Sequence, residues 1–198
     1  MSKRWSYKTY GVPDSLFIRG EAPMTKSEVR SITLSKLRIK TKDIIVDIGA
    51  GTGSISIECG LVANGGRVYA VERDPQSVRV IKENAKAFGV DNIEIIEGTA
   101  PEILNRVPKV NRAIIGGSGG KLDAIFQWFN TNLIVGGRVV MNFITLENMC
   151  KALELLKTSP YKDIDVAQIH VARGKNIGSL TMMEGHNPVY IISATKER

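Results

Sequence analysis

A glycine-rich turn between a predicted strand and a predicted helix constrains the fold of this chain more than any other segment. The turn spans Asp47–Gly53 and ends the β-branched run Ile44–Ile48. Closely spaced glycines let the backbone approach a ligand, and the N-terminus of the following helix directs its free N–H groups toward that ligand. The segment therefore predicts an α/β fold with a ligand site at the carboxyl end of the first strand.

The spacing of the glycines separates two classes of nucleotide site. The turn has the pattern Gly-x-Gly-x-Gly, whereas dinucleotide folds use Gly-x-Gly-x-x-Gly, and Ser54 occupies that third glycine position. Asp47 is either a simple turn residue or a carboxylate that orders the loop and faces a cationic ligand. Glu72 ends the next predicted strand, 23 residues after Gly49, where a carboxylate can accept hydrogen bonds from both hydroxyls of a ribose.

Strands and helices alternate along most of the chain. Predicted strands cover 44–48, 67–72, 92–96, 113–115 and 138–143, and predicted helices cover 25–38, 53–63, 74–88, 101–105, 121–132 and 146–157. Two late segments, about 164–171 and 188–195, are predicted to pair as antiparallel strands at the sheet edge, joined by a glycine-containing loop. The pattern favours a mostly parallel seven-stranded sheet with an antiparallel edge hairpin strand and helices on both faces.

The N-terminal part of the chain is predicted to be irregular up to residue 23, because glycines and prolines interrupt any periodicity. Thr25 and Glu28 then have the spacing of a capping box, which predicts that Thr25 caps a helix. We expect residues 1–40 to form a segment and helix that cover the ligand site, within a single domain of residues 1–198.

Composition excludes several classes of protein. Of the 198 residues, 43% are hydrophobic and 24% charged, which is typical of soluble globular domains, and no apolar run approaches the roughly 18–20 residues that span a bilayer. The N-terminus lacks the apolar stretch of a secretory signal. The two cysteines, Cys59 and Cys150, have neither metal-type nor redox-type spacing, which favours a reduced, cytoplasmic setting.

The net charge is +7, which suits an anionic partner such as nucleic acid, an acidic metabolite or a nucleotide. The basic residues are dispersed, however, and no run of five or more Lys or Arg occurs. Charge alone therefore does not identify the partner.

The motif of an acid followed by Gly-x-Gly-x-Gly resembles that of class I S-adenosylmethionine-dependent methyltransferases. A closer resemblance covers nearly the whole chain and is to the decarboxylating cobalt-precorrin-6B C15-methyltransferases of cobalamin biosynthesis. The motifs that carry it are, in chain order, Pro13-Asp14-x-x-Phe17-Ile18, Thr25, Val46–Gly53, Glu97-Gly98-x-Ala100-Pro101, Gly116–Gly120, Ala172-Arg173-Gly174 and Asn187-Pro188-Val189. The five-residue Gly-Gly-Ser-Gly-Gly run is the most distinctive of them.

This resemblance implies a Rossmann-like class I methyltransferase fold that binds S-adenosylmethionine. The positions it assigns to the cofactor are Thr25, Gly49, Ala50, Gly51, Thr52, Gly53, Glu72, Thr99 and Ala100. A small residue at position 100 leaves room for the adenine. Related enzymes often have Asp where this chain has Thr99, and a threonine hydroxyl can still accept a hydrogen bond from the adenine amine.

The resemblance also implies the reaction, which is methyl transfer to C15 of cobalt-precorrin-6B with decarboxylation of its C12 acetate. We assign Gly117, Ser118, Gly119, Asn142 and Arg173 to this anionic tetrapyrrole substrate, with Arg173 as the preferred carboxylate-binding residue. An enamine-like carbon nucleophile needs no strong base, so no general base is nominated. His170 and His186 have no metal-ligand spacing, and no metal is expected. A homo-oligomer, with a tetramer favoured, is expected from relatives.

Two other functions stay open at this point. An RNA methyltransferase would share the first motif and use the positive charge, but base-methylating enzymes place an Asn/Asp-Pro-Pro-aromatic motif where this chain has Gly116–Gly120. A nicotinamide oxidoreductase or a non-catalytic nucleotide-binding module would share the fold, but would require the missing dinucleotide glycine. We therefore expect neither nucleic acid nor a membrane as a partner.

Overall fold

The computed structural model describes residues 5–198, which form nine strands and five α-helices. The strands are β1 Ile44–Ile48, β2 Arg67–Glu72, β3 Ile93–Glu97, β4 Val110–Ile115, β5 Leu133–Phe143, β6 Tyr161–Ile169, β7 Ala172–Ile177, β8 Leu180–Gly185 and β9 Val189–Lys196. The helices are α1 Ser27–Leu37, α2 Ser54–Val62, α3 Pro75–Phe88, α4 Leu122–Asn132 and α5 Leu146–Thr158, with short 3-10 helices at Asp14–Leu16 and Glu102–Arg106.

Seven of these strands form one sheet in the order β3-β2-β1-β4-β5-β9-β6. The first five are parallel to one another, and β9 runs antiparallel to both of its neighbours. The predicted fold class is thus confirmed, with the refinement that β9 is the inner strand of the late pair and β6 forms the edge. The strand order reverses between β1 and β4, and open α/β sheets bind ligands at this switch point.

Helices cover both faces of the sheet because the central strands are apolar on both sides. On one face, Phe126 and Phe129 of α4 pack with Val46 and Ile48 of β1. On the other face, residues of α1 and α2 pack around Ile45, which directly precedes Val46 and points to the opposite side of the strand. This alternation along β1 fixes the strand in the middle of the structure, and its carboxyl end opens directly into the glycine turn.

Helix α1 does not begin as the capping box predicts. Its first residue is Ser27, and the N-cap is Lys26, whose side chain makes no capping hydrogen bond. The predicted capping role of Thr25 is therefore wrong. The carbonyl oxygen of Thr25 instead accepts a hydrogen bond from Nη1 of Arg30 at 2.6 Å, so this residue joins the extended chain that precedes the helix.

The glycine-containing loop predicted between the late strands is a second, two-stranded sheet made of β7 and β8. Ile177 pairs with Leu180 across a two-residue turn, and Gly178 in that turn has a φ of +61°. The sequence gives little sign of this hairpin because nearly all of its residues are exposed on both faces. Without one buried face, its strands show no apolar alternation.

Two further observations bear on the composition argument. Both cysteines are free; Cys59 is buried, whereas Cys150 is exposed on α5. Within residues 5–198, no helix is both long enough and apolar enough to cross a lipid bilayer.

Candidate active site

A cleft of about 550 Å³ opens at the carboxyl edge of β1, β2, β3 and β4. This volume lies within the range of small-molecule sites in proteins. The cleft is lined by Glu21, Ala22, Pro23, Ile48, Gly49, Gly51, Val71, Glu72, Arg73, Asp74, Gln76, Ser77, Gly98, Thr99, Ala100, Gly116, Gly117, Ser118 and Gly119. The structure therefore brings together residues that follow four different strands of the sheet.

The glycine turn after β1 forms the floor of this cleft. Gly49 and Gly51 line it, with φ values of +74° and +56° that favour glycine. The N–H groups of Gly49 and Ala50 donate to the carbonyl of Val71 at 3.0 and 3.1 Å, which ties the turn to β2. Thr52 is buried beneath the floor, 2% exposed. Of the predicted loop contacts, the structure thus presents Gly49 and Gly51 to the cleft, whereas Ala50, Thr52 and Gly53 do not line it.

Glu72 lines the cleft at the end of β2, and three backbone N–H groups hold its carboxylate. Oε2 accepts from Gly51 at 2.8 Å, and Oε1 accepts from Arg73 at 2.8 Å and Asp74 at 3.0 Å. A carboxylate has about four acceptor positions, so capacity remains for a ligand. The same side chain therefore orders the glycine turn and offers an acceptor to the cleft.

Asp47 lies outside the cleft. Its side chain is buried, and Oδ2 accepts a hydrogen bond from the hydroxyl of Ser56 on α2 at 2.5 Å. Burial raises the pKa of Asp47 to about 6, the Ser56 hydrogen bond opposes that increase, and the nearby charge of Glu72 adds to it. Of the second role left open by the sequence, the loop-ordering part matches the geometry, because the carboxyl group anchors the turn to α2. The ligand-facing part does not, because Asp47 does not line the cleft.

Thr99 and Ala100 follow the carboxyl end of β3. Both residues line the cleft, and the carbonyl of Thr99 accepts from the N–H of Ile103 at 3.2 Å. The peptide bond between Ala100 and Pro101 is cis. The structure therefore brings both predicted residues to the site, next to Glu72.

The sequence analysis missed the second wall, which residues 11–23 provide; we call this segment the strap. Glu21, Ala22 and Pro23 of the strap line the cleft, whereas Thr25 does not. The glycines and prolines of the strap mark it as a loop, but no pattern in the sequence indicates that it packs beside the cleft. The general expectation that the N-terminal part of the chain covers the ligand site stays a prediction.

A buried ionic network attaches the start of the strap to α1 and α2. Arg30 is fully buried and donates to Glu58 at 2.5 Å and to the carbonyl of Val12 at 2.5 Å. Glu58, also buried, accepts the N–H groups of Gly11 at 2.8 Å and Val12 at 3.1 Å. Each buried charge thus has several partners, as buried ions require.

Asn84 of α3 attaches the middle of the strap. Its Oδ1 accepts from the N–H of Ile18 at 2.8 Å, and its Nδ2 donates to the carbonyls of Ile18 and Thr52, both at 3.0 Å. One fully buried amide therefore connects the strap to the glycine turn.

The glycine-rich segment after β4 packs beside the glycine turn and continues the floor of the cleft. Gly116, Gly117, Ser118 and Gly119 all line it. The N–H groups of Gly116 and Gly117 donate to the carbonyl of Ile48 at 2.9 and 3.3 Å. These two N–H groups are therefore not available to a ligand, because they continue the pairing of β4 with β1.

The two remaining substrate candidates lie outside the cleft. Asn142 is bonded to the hydroxyl of Thr33 on α1. The guanidinium of Arg173 lies 2.9 Å from Oδ2 of Asp14 and donates to Glu28 at 2.5 Å. Hydrogen bonding to Glu28 raises the pKa of Arg173 above its ordinary value. Its charge is thus already balanced by two carboxylates of this chain, and its predicted role in substrate binding stays a prediction.

Within residues 5–198 there is no group of three or more His, Cys, Asp or Glu side chains that could hold a metal ion. The cleft itself offers carboxylate and backbone acceptors beside backbone N–H groups. This set suits a polar nucleoside-type ligand that is bound and oriented at the end of the sheet.

Comparison with known proteins identifies the family. Residues 15–196 match the family model described as a precorrin methyltransferase domain. The chain is 44% identical over 193 residues to a Pyrobaculum aerophilum protein named probable cobalt-precorrin-6B C(15)-methyltransferase (decarboxylating), covering 96% of this chain and 98% of that protein. It is 40% identical over 185 residues to the cobalt-precorrin-6B C(15)-methyltransferase (decarboxylating) of Salmonella typhimurium, covering 93% and 95%.

A solved structure agrees with this result. The precorrin-6y C5,15-methyltransferase of Geobacter metallireducens superposes with a TM-score of 0.90 at 41% identity, over 96% of this chain and 100% of that one. The family match over residues 15–196 includes every residue that lines the cleft, and the chain belongs to the precorrin methyltransferase family.

Proposed function

We propose that this enzyme transfers a methyl group from S-adenosylmethionine to C15 of cobalt-precorrin-6B and decarboxylates the C12 acetate side chain, in cobalamin biosynthesis. The observation that carries the proposal is the nearly end-to-end match to relatives bearing that name, at 44% and 40% identity. The cleft at the switch point of the sheet lies where such a cofactor would be bound.

The residues of the cleft suit S-adenosylmethionine. The acceptor position left on Glu72 suits a ribose hydroxyl, and glycine at positions 49 and 51 keeps side chains out of the floor. Thr99 and Ala100 would border the adenine. When bound, the cofactor supplies a methyl group activated by a sulfonium.

The chain contributes binding, orientation and exclusion of water. The strap, held by Arg30, Glu58 and Asn84, closes one side of the cleft, so that a bound molecule would be aligned between two fixed walls. Glu72 and Asp74 both direct their carboxylates to backbone N–H groups. A carbon nucleophile activated by the electrons of the macrocycle needs no stronger base, and we nominate none.

We assign Gly117, Ser118 and Gly119 to the substrate. An added Cβ at Gly117 would meet only the Cα of Gly49, at 4.0 Å, so a side chain there points into space that the tetrapyrrole would use. Gly117→Val should abolish turnover and leave the affinity for S-adenosylhomocysteine within about threefold. Asn142 would bind the substrate only after breaking its hydrogen bonds to Thr33. Arg173 would do so only after breaking its ion pairs with Asp14 and Glu28.

The experiment that tests the function is a single-turnover assay with cobalt-precorrin-6B and a cofactor labelled in its methyl group. We expect the label in the product, release of carbon dioxide, and conversion of one acetate side chain to a methyl group after uptake of one proton. Methylation of RNA in place of the tetrapyrrole would contradict the proposal. RNA is disfavoured because the segment after β4 has no aromatic side chain to stack on a base.

We also propose that the enzyme is cytoplasmic and assembles as a homotetramer. Apolar side chains of the β7–β8 hairpin support self-association, since Leu180 is 73% and Met183 64% exposed. Replacing both with Ser should reduce the mass measured by sedimentation velocity. The matched control is Val135→Ser, which removes an exposed apolar side chain from β5. A monomeric parent protein at micromolar concentration would contradict the assembly.

A further inference from the structure

Arg73 is the cationic side chain at the mouth of the cleft. It is exposed, lines the cleft, and is the first residue after β2. Its Nη1 lies 3.5 Å from the position that a Cβ on Gly119 would take. Because β1 lies between β2 and β4 in the sheet, this side chain reaches across the glycine turn to the segment that follows β4.

The charge of Arg73 has no acidic partner in the described part of the chain. Within residues 5–198 its guanidinium makes neither an ion pair nor a side-chain hydrogen bond. Three buried or partly buried arginines contrast with it: Arg30 is bonded to Glu58, Arg112 lies 3.2 Å from Asp43, and Arg173 pairs with Asp14 and Glu28. A cation directed into a ligand cleft is therefore still available to a ligand.

The segment that Arg73 reaches also offers hydrogen-bond donors. No backbone acceptor within residues 5–198 takes the N–H groups of Ser118, Gly119 and Gly120, in contrast to those of Gly116 and Gly117. The Ser118 hydroxyl is a further donor. Helix α4 begins just beyond, at Leu122, so that its partial positive charge adds to the same region.

From these positions we propose that Arg73 and the Ser118–Gly120 segment form a carboxylate-binding subsite of the cleft. A guanidinium presents a planar fork of N–H groups that matches the two oxygens of a carboxylate, and backbone N–H groups complete the set. The proposal deepens the proposed function, on which it rests. The carboxylate could belong to the amino-acid part of the cofactor or to an acetate or propionate side chain of the tetrapyrrole.

The test compares Arg73→Gln and Arg73→Lys with Arg67→Gln. Arg67 begins the same strand at the opposite edge of the sheet, outside the cleft, and its removal changes the net charge equally. Calorimetry measures binding of S-adenosylhomocysteine, which carries the amino-acid carboxylate, and of 5′-methylthioadenosine, which lacks it. Absorbance titration measures binding of cobalt-precorrin-6B to the enzyme loaded with S-adenosylhomocysteine.

If the subsite holds the cofactor carboxylate, Arg73→Gln weakens S-adenosylhomocysteine about tenfold or more and leaves 5′-methylthioadenosine within about twofold. If it holds the tetrapyrrole, both adenosyl ligands are unaffected and cobalt-precorrin-6B binds about tenfold more weakly. In either case Arg73→Lys should restore part of the loss, because it keeps the charge without the fork, and Arg67→Gln should match the parent protein.

Two results would overturn the subsite. One is unchanged affinity for all three ligands in Arg73→Gln. The other is an equal loss for both adenosyl ligands, which would assign Arg73 to the adenosine and not to a carboxylate. Failure of the proposed function is distinguishable, because it appears as an absence of methyl transfer in the parent protein, while these binding measurements do not require turnover.

Discussion

The α-carbon of Gly49 lies directly against the backbone of Gly117. A Cβ added to Gly49 would fall 2.7 Å from both N and O of Gly117, closer than real Cβ atoms approach. The turns that follow β1 and β4 therefore pack backbone to backbone at the switch point of the sheet. The glycine turn after β1 and the glycine-rich segment after β4 thus form one floor of the cleft, and a change at Gly49 should affect both.

We expect Gly49→Ala to destabilise the fold by about 2–5 kcal/mol, because it combines a strained positive φ with overpacking against a backbone. Binding of S-adenosylhomocysteine should fall about tenfold or more. Gly136→Ala is the matched control, since Gly136 has a φ of +75° and open space around its Cβ position. It should lose about 1–2 kcal/mol by urea unfolding and bind normally. Equal losses in the two variants would show that the contact with Gly117 is unimportant.

Cofactor binding should depend on the charge of Glu72. Glu72→Gln replaces one accepting oxygen by a donor that cannot receive the N–H groups now bonded there, and hydrogen bonds to charged groups contribute about 1.5–3 kcal/mol each. We expect calorimetry to show S-adenosylhomocysteine binding at least about tenfold weaker. Glu97→Gln, which removes the carboxylate paired in register with Glu72 on β3, should bind normally. Unchanged affinity in Glu72→Gln would remove this residue from the site.

Asp47 should make stability depend on pH. Its pKa is raised to about 6 from an ordinary value of 3.8, so the folded protein favours the protonated carboxyl. This contribution is fully present below pH 3.8 and is lost as the pH rises through 6, a change of about 3 kcal/mol. Asp47→Asn should lack this decrease.

Urea unfolding at several values between pH 4 and 7 measures the difference between the parent protein and Asp47→Asn. The free energy of unfolding of Asp47→Asn, relative to that of the parent protein, should increase as the pH rises. Asp91→Asn, at an exposed carboxyl group, serves as the control and should give a curve parallel to that of the parent. A curve for Asp47→Asn that is also parallel to that of the parent would show that burial does not raise the pKa of Asp47.

Asn84 should hold the strap against the glycine turn. Asn84→Ala removes its hydrogen bonds to Ile18 and Thr52, and we expect a loss of about 2–4 kcal/mol in the free energy of unfolding. Trypsin should then cleave after Arg19 in the strap more rapidly, and S-adenosylhomocysteine should bind more weakly.

The matched control for the strap is Asn92→Ala. Asn92 also donates to two backbone carbonyls, those of Gly60 and Ala63, but makes no side-chain hydrogen bond to the strap. This variant should lose stability without faster cleavage after Arg19. Equal cleavage rates in the two variants would mean that Asn84 contributes only general stability.

By itself, the sequence determined the first βα unit and the place of the site. Ile44–Ile48, the glycine turn and Glu72 are recognisable because their signals are local: a β-branched strand, a turn that requires glycine, and an acid at the end of the next strand. Parallel strands bring their carboxyl ends to one edge of a sheet. These local features, together with the motif order along the chain, predicted both the fold class and the family.

Tertiary structure alone decided which side chains reach the cleft. The strap, the burial of Thr52 and Asp47, and the capture of Arg173 by Asp14 and Glu28 depend on contacts between residues far apart in the sequence. Arg173 and Arg73 are chemically identical in the sequence, and only packing shows that one is neutralised within the chain while the other faces the ligand cleft. Long-range packing leaves no local period or motif, so charge and spacing could not distinguish them.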